Sequence, residues 1–189
     1  MSNMSSNANF VIPLPAIPSV AVDGTAARFP VRRIFCVGRN YAAHAREMGR
    51  DPDREPPFFF LKPSDSVVDN GVSVPYPPQT RNFHYEIELV VAIGVGGAAI
   101  PIDRALEHVY GYTVGRLWLA VNGVVKQDSD ISKLIWGVPE IISFISESMM
   151  LAPGDLIMTG TPEGVGPVVR GDLITGGIDG ISELRTPIR

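Results

Sequence analysis

The sequence predicts an α+β fold in which β-strands predominate. Short runs of β-branched and aromatic residues recur along the chain, and such runs are typical of strands. The 19 glycines and 17 prolines among the 189 residues divide these runs into brief segments, because both residue types interrupt regular structure. Only two or three segments have helical spacing. With 45% hydrophobic residues the chain can bury one sizeable core, so residues 30–189 are expected to form a single domain.

The composition also limits the partners and the location that we expect. The formal net charge is −4, and lysine and arginine are scattered along the chain, which argues against nucleic acid or a membrane as a partner. Residues 1–29 are rich in proline and small residues, which predicts an irregular surface arm. The arm resembles neither a signal peptide nor a spanning helix, so a cytoplasmic location is expected. Cys36 is the only cysteine, which excludes an internal disulfide.

The first predicted strand and helix follow the arm. Residues 33–37 are predicted to form a short strand, because four apolar residues follow Arg33. Asn40 is expected to cap a helix over residues 41–48, and Gly49 is expected to close it, since these residue types favour the two ends of helices.

A compact apolar strand is predicted over residues 58–61, and it ends at Lys62 and Pro63. Its three phenylalanines are most simply interpreted as core residues. Lys62 is expected either to contact an anionic substrate or to be an ordinary surface lysine.

Two carboxylates, Glu86 and Glu88, interrupt the next apolar run, residues 84–93. A strand turns residues i and i+2 to the same face, so both carboxylates are expected to point the same way. Most such pairs belong to the solvated face of a strand. The alternative is a hard divalent cation bound between the two carboxylates, because buried like charges need compensation.

The second half of the chain contains the clearest hairpin signal. Asn122 and Gly123 are the preferred pair for a two-residue type I′ turn, and apolar runs flank them at 117–121 and 124–127. The other predicted elements are a short helical segment at 102–108, a strand at 109–114, an amphipathic helix from Pro139 to about Met150, a strand at 155–159, and an irregular glycine-rich loop at 160–166.

Two further groups of residues can support chemistry. His44 and Glu47 are three residues apart on the first helix, so the carboxylate can orient the imidazole as a general base, although spacing alone favours an exposed pair that supports the helix. Thr161 lies in the glycine-rich loop, whose backbone amides can bind a carboxylate. Glu163 in the same loop is expected to assist the His44–Glu47 pair, to contact substrate, or to stabilise the loop.

The order of these motifs resembles the fumarylacetoacetate hydrolase family. The resemblance runs from about residue 29 to residue 189. The sequence is most similar to the family members that hydrolyse fumarylpyruvate. It rests on GRNYAAH at 38–44, FLKP at 60–63, HYEIE at 84–88, VYGY at 109–112, LAPGD at 151–155 and GTPEGVG at 160–166.

The resemblance implies a shape, a cofactor and residue roles. The implied shape is a mixed β-sheet rolled into a barrel-like sandwich with short helices around it, usually in a homodimer. Glu86 and Glu88 match metal carboxylates, which implies Mg²⁺ or Mn²⁺ as the cofactor. His44 and Glu47 match the water-activating pair. Thr161 matches a substrate-binding threonine, and Glu163 and Lys62 are further expected substrate contacts.

The implied reaction is metal-dependent hydrolysis of a carbon–carbon bond in an acylpyruvate, a 2,4-dioxo acid. The favoured substrate is 3-fumarylpyruvate, which would give fumarate and pyruvate in gentisate degradation. Two alternatives stay open. The same scaffold supports 2-oxo acid isomerases, decarboxylases and tautomerases, and a chain with an incomplete metal site could be a non-catalytic binding protein.

One part of the family pattern is absent from the chain. In family members the strand equivalent to 110–115 continues into a segment that carries a third metal ligand and a substrate-binding arginine and lysine. Here Gly115 is followed at once by Arg116. Either the sequence omits residues of a longer polypeptide, or the gene product lacks the segment. The first explanation is favoured, because active-site segments are often mobile loops.

Overall fold

The computed structural model describes residues 10–47, 49, 56–112 and 115–189. Within them the chain forms short strands and two α-helices, with brief 3₁₀ segments at Ser64–Ser66, Ile102–His108 and Ile131–Lys133. The elements in chain order are β1 (Ser19–Ala21), β2 (Arg28–Pro30), β3 (Arg33–Gly38), α1 (Ala42–Glu47), β4 (Phe58–Lys62), β5 (Phe83–Tyr85), β6 (Val90–Ile93), β7 (Val109–Gly111), β8 (Arg116–Val121), β9 (Val124–Asp130), α2 (Val138–Ser148), β10 (Asp155–Met158), β11 (Gly166–Val168), β12 (Leu173–Ile178) and β13 (Leu184–Pro187).

The central layer is a mixed five-stranded sheet with the order β4-β3-β10-β6-β7. Only β3 and β10 run parallel, with Arg33 opposite Asp155 and Cys36 opposite Met158. The other neighbours are antiparallel. This parallel pair brings together residues that are more than a hundred positions apart in the sequence.

A second, four-stranded antiparallel sheet has the order β13-β12-β8-β9. The predicted hairpin joins β8 to β9, and Asn122 and Gly123 adopt positive φ values of 50° and 80°, as a type I′ turn requires. Two small two-stranded sheets, β1-β2 and β11-β5, complete the described strands. The mostly β, α+β class is confirmed, whereas the barrel-like closure is not found among the described residues, because these sheets remain separate.

The main core lies between the sheets and α2. It contains Leu89, Val91 and Ile93 from the region of β6, together with Ile141 and Ile145 from α2. The predicted helical spacing over residues 139–150 is therefore confirmed, since α2 turns its apolar face into this core. No helix in the described part of the chain is long and apolar enough to cross a membrane.

The structure differs from the sequence predictions in the first helix. The described helix ends at Glu47, and Met48 lies outside the described residues. Asn40 is buried and does not act as an N-cap. Its amide Nδ2 donates to the carbonyls of Trp136 and Thr159, and its Oδ1 accepts from the backbone N–H of Trp136. Asn40 therefore ties three distant segments together, which local sequence does not reveal.

Two strand predictions also need correction. Residues 86–89 have extended alternation but lie between β5 and β6, so the predicted strand over 84–93 is interrupted. Phe58 and Phe60 are 45% and 46% exposed, so the interpretation of all three phenylalanines as core residues is wrong, and only Phe59 packs against the core. The exposed pair belongs to the wall of a pocket.

Candidate active site

The candidate site lies at one end of the strands of the five-stranded sheet. Because β3 and β10 are parallel, the residues after Gly38 and after Met158 leave the sheet at the same end. The antiparallel neighbours begin there: Phe58 is opposite Gly38, and Val90 is opposite Met158. The topology therefore brings four segments that are distant in sequence to one place.

A pocket of about 350 Å³ opens at this end of the strands. Four of the predicted site residues line it: His44, Glu86, Glu88 and Thr161. The other lining residues are Val37, Gly38, Arg39, Phe58, Phe60 and Gly160. The structure thus brings the predicted general base, the carboxylate pair and the loop threonine into one cavity.

The two carboxylates occupy the same side of their segment. Tyr85, Ile87 and Leu89 are buried, whereas the alternate residues Glu86 and Glu88 are exposed and half-buried. This alternation confirms the predicted common face.

Glu88 is the more enclosed of the two carboxylates, and its Oε2 accepts a hydrogen bond of 2.6 Å from the backbone N–H of Gly160. Burial raises the pKa of Glu88 to about 7, and the neighbouring negative charge of Glu86 adds to this shift. The Gly160 hydrogen bond and the positive charge of Lys62 oppose it without cancelling it. The site therefore holds a carboxyl group whose negative charge the protein compensates only in part.

A hard divalent cation fits this donor set. The described residues contain no group of three or more candidate metal-ligating side chains, so Glu86 and Glu88 would be the protein ligands that this part of the chain supplies. Mg²⁺ is commonly held by one or two carboxylates, with water and substrate oxygens at its remaining positions. The incomplete compensation of Glu88 is what such an ion would relieve.

The predicted base and its partner are in contact. The Nδ1 atom of His44 lies 3.4 Å from Glu47 Oε2. The same carboxylate oxygen accepts a 3.2 Å hydrogen bond from the backbone N–H of Gly164 in the glycine-rich loop. Glu47 does not line the pocket, so its place is behind His44, where it orients the ring and links α1 to the loop.

Thr161 is buried, and its position depends on a residue that sequence analysis did not identify. Gln127, which is 1% exposed, donates from Nε2 to Thr161 Oγ1 at 2.8 Å and to the carbonyl of Pro162 at 2.9 Å. Its Oε1 accepts from the backbone N–H of Ile87 at 2.9 Å, between the two site carboxylates. Because Thr161 Oγ1 accepts from the amide, the hydroxyl hydrogen is left to donate elsewhere.

Glu163 and Lys62 are near the site but do not line the pocket. Glu163 is half-buried, and its Oε2 has no hydrogen-bond partner among the described residues. The Nζ atom of Lys62 lies 3.7 Å from Met158 Sδ, and its charge acts on Glu88. Substrate contact by these two residues stays a prediction.

Sequence analysis also missed Arg39, Phe58 and Phe60 as pocket residues. A triplet of phenylalanines in a strand is usually a core signal. The available clue was Gly38, whose lack of a side chain allows another group to approach the backbone closely.

The chain is similar to several known proteins. The family model described as fumarylacetoacetate (FAA) hydrolase C-terminal matches residues 33–118 and 115–189. A fumarylpyruvate hydrolase from Ralstonia sp. is 40% identical over 184 residues, which cover 72% of this chain and 96% of that protein. The mitochondrial oxaloacetate tautomerase FAHD1 of Mus musculus is 35% identical over 204 residues, which cover 84% of this chain and 92% of that protein.

A solved structure is similarly related. The crystal structure of fumarylpyruvate hydrolase from Pseudomonas aeruginosa in complex with Mn²⁺ and pyruvate has a TM-score of 0.92 and is 43% identical, covering 95% of this chain and 99% of that chain. The metal in that structure is one of the two that the family resemblance implies for this chain.

The alignments bear on the junction at Gly115 and Arg116. The two family matches meet there, at 115–118. The Ralstonia alignment spans 184 positions, but 72% of 189 residues is about 136, so about 48 positions have no residue of this chain opposite them. The strands β7 and β8 that flank the junction are described, whereas residues 113 and 114 between them are outside the described part.

Proposed function

Because the chain belongs to the fumarylacetoacetate hydrolase family, we propose that it catalyses metal-dependent hydrolysis of a carbon–carbon bond in an acylpyruvate. The favoured substrate is 3-fumarylpyruvate, and the products are fumarate and pyruvate. The observation that carries this proposal is the single pocket lined by His44, Glu86, Glu88 and Thr161, since a base, a pair of oxygen ligands and a hydroxyl donor are the groups that this reaction needs.

His44 is assigned as the general base. Its Nδ1 faces Glu47, which leaves Nε2 to take a proton from water. The resulting hydroxide attacks the ketone carbon that joins the acyl group to the pyruvyl part. The negative charge of Glu47 stabilises the imidazolium that forms.

Thr161 is assigned to the carboxylate of the pyruvyl part. Its hydroxyl hydrogen is free to donate because its oxygen already accepts from Gln127. Glu86 and Glu88 would hold Mg²⁺ or Mn²⁺. When bound, this ion supplies Lewis-acid stabilisation of the negative charge that develops on the pyruvyl fragment as the carbon–carbon bond breaks.

The direct test is loss of fumarylpyruvate absorbance with Mn²⁺ or Mg²⁺, followed by addition of excess EDTA. We expect hydrolysis that requires the metal. His44→Ala should reduce kcat by about 10² to 10⁴ and leave Mn²⁺ binding unchanged. His108→Gln is the matched control, because its ring contacts the Val95 carbonyl and does not line the pocket. Full activity of His44→Ala would refute the assigned base.

A second candidate function is tautomerisation or decarboxylation of oxaloacetate. Its support is the relatives that carry these names, the tautomerase from Mus musculus and a 34% identical oxaloacetate decarboxylase from Dictyostelium discoideum. Turnover of oxaloacetate without hydrolysis of any acylpyruvate would select this candidate, and the opposite result would select the hydrolase.

The absent segment is part of the same proposal. We expect the active polypeptide to carry additional residues between Gly115 and Arg116, which supply a further metal ligand and substrate contacts. Intact mass is the test, because the sequence given corresponds to 20.4 kDa. Metal-dependent hydrolysis by a 20.4 kDa chain would show that the segment is dispensable. An inactive chain of that mass would favour a protein without a complete metal site.

The proposal extends to a homodimer. The hairpin between β8 and β9 exposes Val124 and Val125 at its tip, and apolar groups of this kind contribute to subunit interfaces. Light scattering with size-exclusion chromatography distinguishes a dimer from a monomer, and a monomer at micromolar concentration would refute this part.

A further inference from the structure

Three side chains form a distinct wall of the pocket, and the proposed chemistry does not use them. Arg39, Phe58 and Phe60 line the cavity, and we call this wall the acyl ledge. The Phe58 and Phe60 rings lie 6.1 Å apart at an interplanar angle of 24°. The Arg39 guanidinium lies 5.0 Å from the centroid of the Phe58 ring.

The backbone beneath the acyl ledge is shaped to hold it. A Cβ atom at Gly38 would come within 1.9 Å of the Phe58 ring, so the ring lies directly against the backbone where only glycine permits it. The next residue, Arg39, has a φ of 60°, a left-handed conformation that is unfavourable for a residue with a side chain. With both features the guanidinium lies over the Phe58 ring in the lining of the pocket.

The acyl ledge has unused binding capacity. Phe58 and Phe60 keep nearly half of their surface exposed, and Arg39 is exposed. Among the described residues Arg39 makes no ion pair. Of the arginines and lysines that the structure describes, Arg39 alone lines the pocket. A planar apolar wall with one guanidinium that pairs with no described carboxylate therefore stands beside a site whose other ionisable lining residues are two glutamates and a histidine.

We infer that the acyl ledge binds the acyl part of the substrate and selects acyl groups that are flat, unsaturated and terminated by a carboxylate. The conjugated chain packs against the Phe58 ring, and the terminal carboxylate pairs with the Arg39 guanidinium, whose planar fork matches a carboxylate in two hydrogen bonds. This inference rests on the proposed function and specifies its substrate class. It makes Arg39 a specificity residue that leaves the bond-breaking step itself unaffected.

The test compares two substrates that share the reacting diketone. Fumarylpyruvate carries the distal carboxylate and the double bond, and acetylpyruvate carries neither. We expect Arg39→Gln to lower kcat/KM for fumarylpyruvate at least about tenfold and to change that for acetylpyruvate less than about twofold. Arg170→Gln is the matched control, because Arg170 also lies over an aromatic ring, that of Tyr76 at 4.7 Å, and does not line this pocket. Equal losses on both substrates, or no loss on either, would overturn the inference.

A binding measurement keeps the inference testable if the protein hydrolyses neither compound, a result that would refute the proposed function alone. Fumarate and crotonate differ only in whether a carboxylate or a methyl group ends the same unsaturated chain. The binding of each is measured by saturation-transfer NMR in a buffer that contains Mg²⁺ and no Mn²⁺. Preference for fumarate that disappears in Arg39→Gln and persists in Arg170→Gln supports the acyl ledge. The absence of that preference in the unmodified protein overturns it.

Discussion

Asp155 and Glu88 are two carboxylates near opposite ends of strand β10, and the protein compensates their negative charges to different extents. Asp155 is fully buried and accepts two hydrogen bonds from Arg33, from Nε to Oδ1 at 3.0 Å and from Nη2 to Oδ2 at 2.6 Å. The backbone N–H of Ala152 adds a third at 2.8 Å, and Arg32 Nη1 adds a fourth, to Oδ1 at 3.3 Å. Glu88 has one hydrogen bond, from Gly160. A carboxylate whose charge the protein neutralises supports the fold, whereas one left partly uncompensated is available to a ligand.

The largest expected effect comes from replacing the uncompensated carboxylate. Glu88→Gln should lower kcat/KM with Mn²⁺ by about 10³ or more, because Lewis-acid stabilisation contributes several kcal/mol. The same change should not lower the free energy of unfolding of the metal-free protein, because it removes a buried charge that Lys62 and the Gly160 hydrogen bond compensate only in part. Enzyme assays and urea titration measure the two quantities. A variant that keeps its activity but unfolds more easily would show that Glu88, like Asp155, supports the fold and does not bind a ligand.

Asp155→Ala should have the opposite profile. The change removes the acceptor of Arg33, whose side chain is 27% exposed. Because water reaches this guanidinium in part, we expect a loss of about 3 kcal/mol in the free energy of unfolding, at the low end of the range for a broken buried pair. Urea titration measures the loss. At temperatures where the variant is folded, its kcat should equal that of the unmodified protein, since Asp155 does not line the pocket. A selective loss of kcat in a variant of normal stability would contradict this assignment.

A smaller effect is expected at Gln127, which positions the site without contacting substrate. Gln127→Leu leaves the N–H of Ile87 and the carbonyl of Pro162 without their partner, which should cost about 1 to 3 kcal/mol in the free energy of unfolding. The factor by which KM rises should be about ten times the factor by which kcat falls, because Thr161 loses the group that fixes its hydroxyl.

The control for this prediction is a double-mutant cycle with Thr161→Val. If Gln127 acts through Thr161, the effect of Gln127→Leu on KM should largely disappear in the Thr161→Val background. The effect on the free energy of unfolding should persist in both backgrounds. Additive effects on KM would mean that Gln127 has only a structural role.

The smallest effect is expected at an exposed pair with similar geometry. Arg116 donates from Nε to Asp128 Oδ1 at 2.6 Å, which resembles the contact of Arg33 with Asp155, but both partners are exposed. Solvent screens such a pair, so Arg116→Gln should leave the midpoint of urea unfolding unchanged within error. A loss comparable to that of Asp155→Ala would show that burial does not explain the comparison.

Much of the fold could be predicted because local signals and tertiary contacts agree. The Asn122–Gly123 turn, the amphipathic helix α2 and the alternation along residues 85–93 each depend on residue type and spacing within a short window. The predicted barrel-like shape is not found among the described residues, because sheet closure depends on pairing between distant strands, which local patterns do not determine.

The site was predictable where a residue carries its chemistry in its side chain. His44, Glu86, Glu88 and Thr161 were identified, and they share one pocket. Gln127 was not identified and Asn40 was assigned only as a helix cap, because their roles depend on backbone groups 35 to 119 positions away. Phe58 and Phe60 were assigned to the core, since hydrophobicity does not distinguish an apolar pocket wall from an interior.

The parallel pairing of β3 with β10 also has a kinetic consequence. Arg33 and Asp155 are 122 positions apart, so closing this contact requires ordering most of the chain. His44 and Thr161 follow these two strands and cannot meet until the strands have paired. During refolding, ligand binding should therefore return with the slowest structural phase, after helix α2 and the β8–β9 hairpin have formed from local contacts. Ligand binding in the pocket therefore indicates that folding is complete, and we expect a partly folded chain to bind no ligand there.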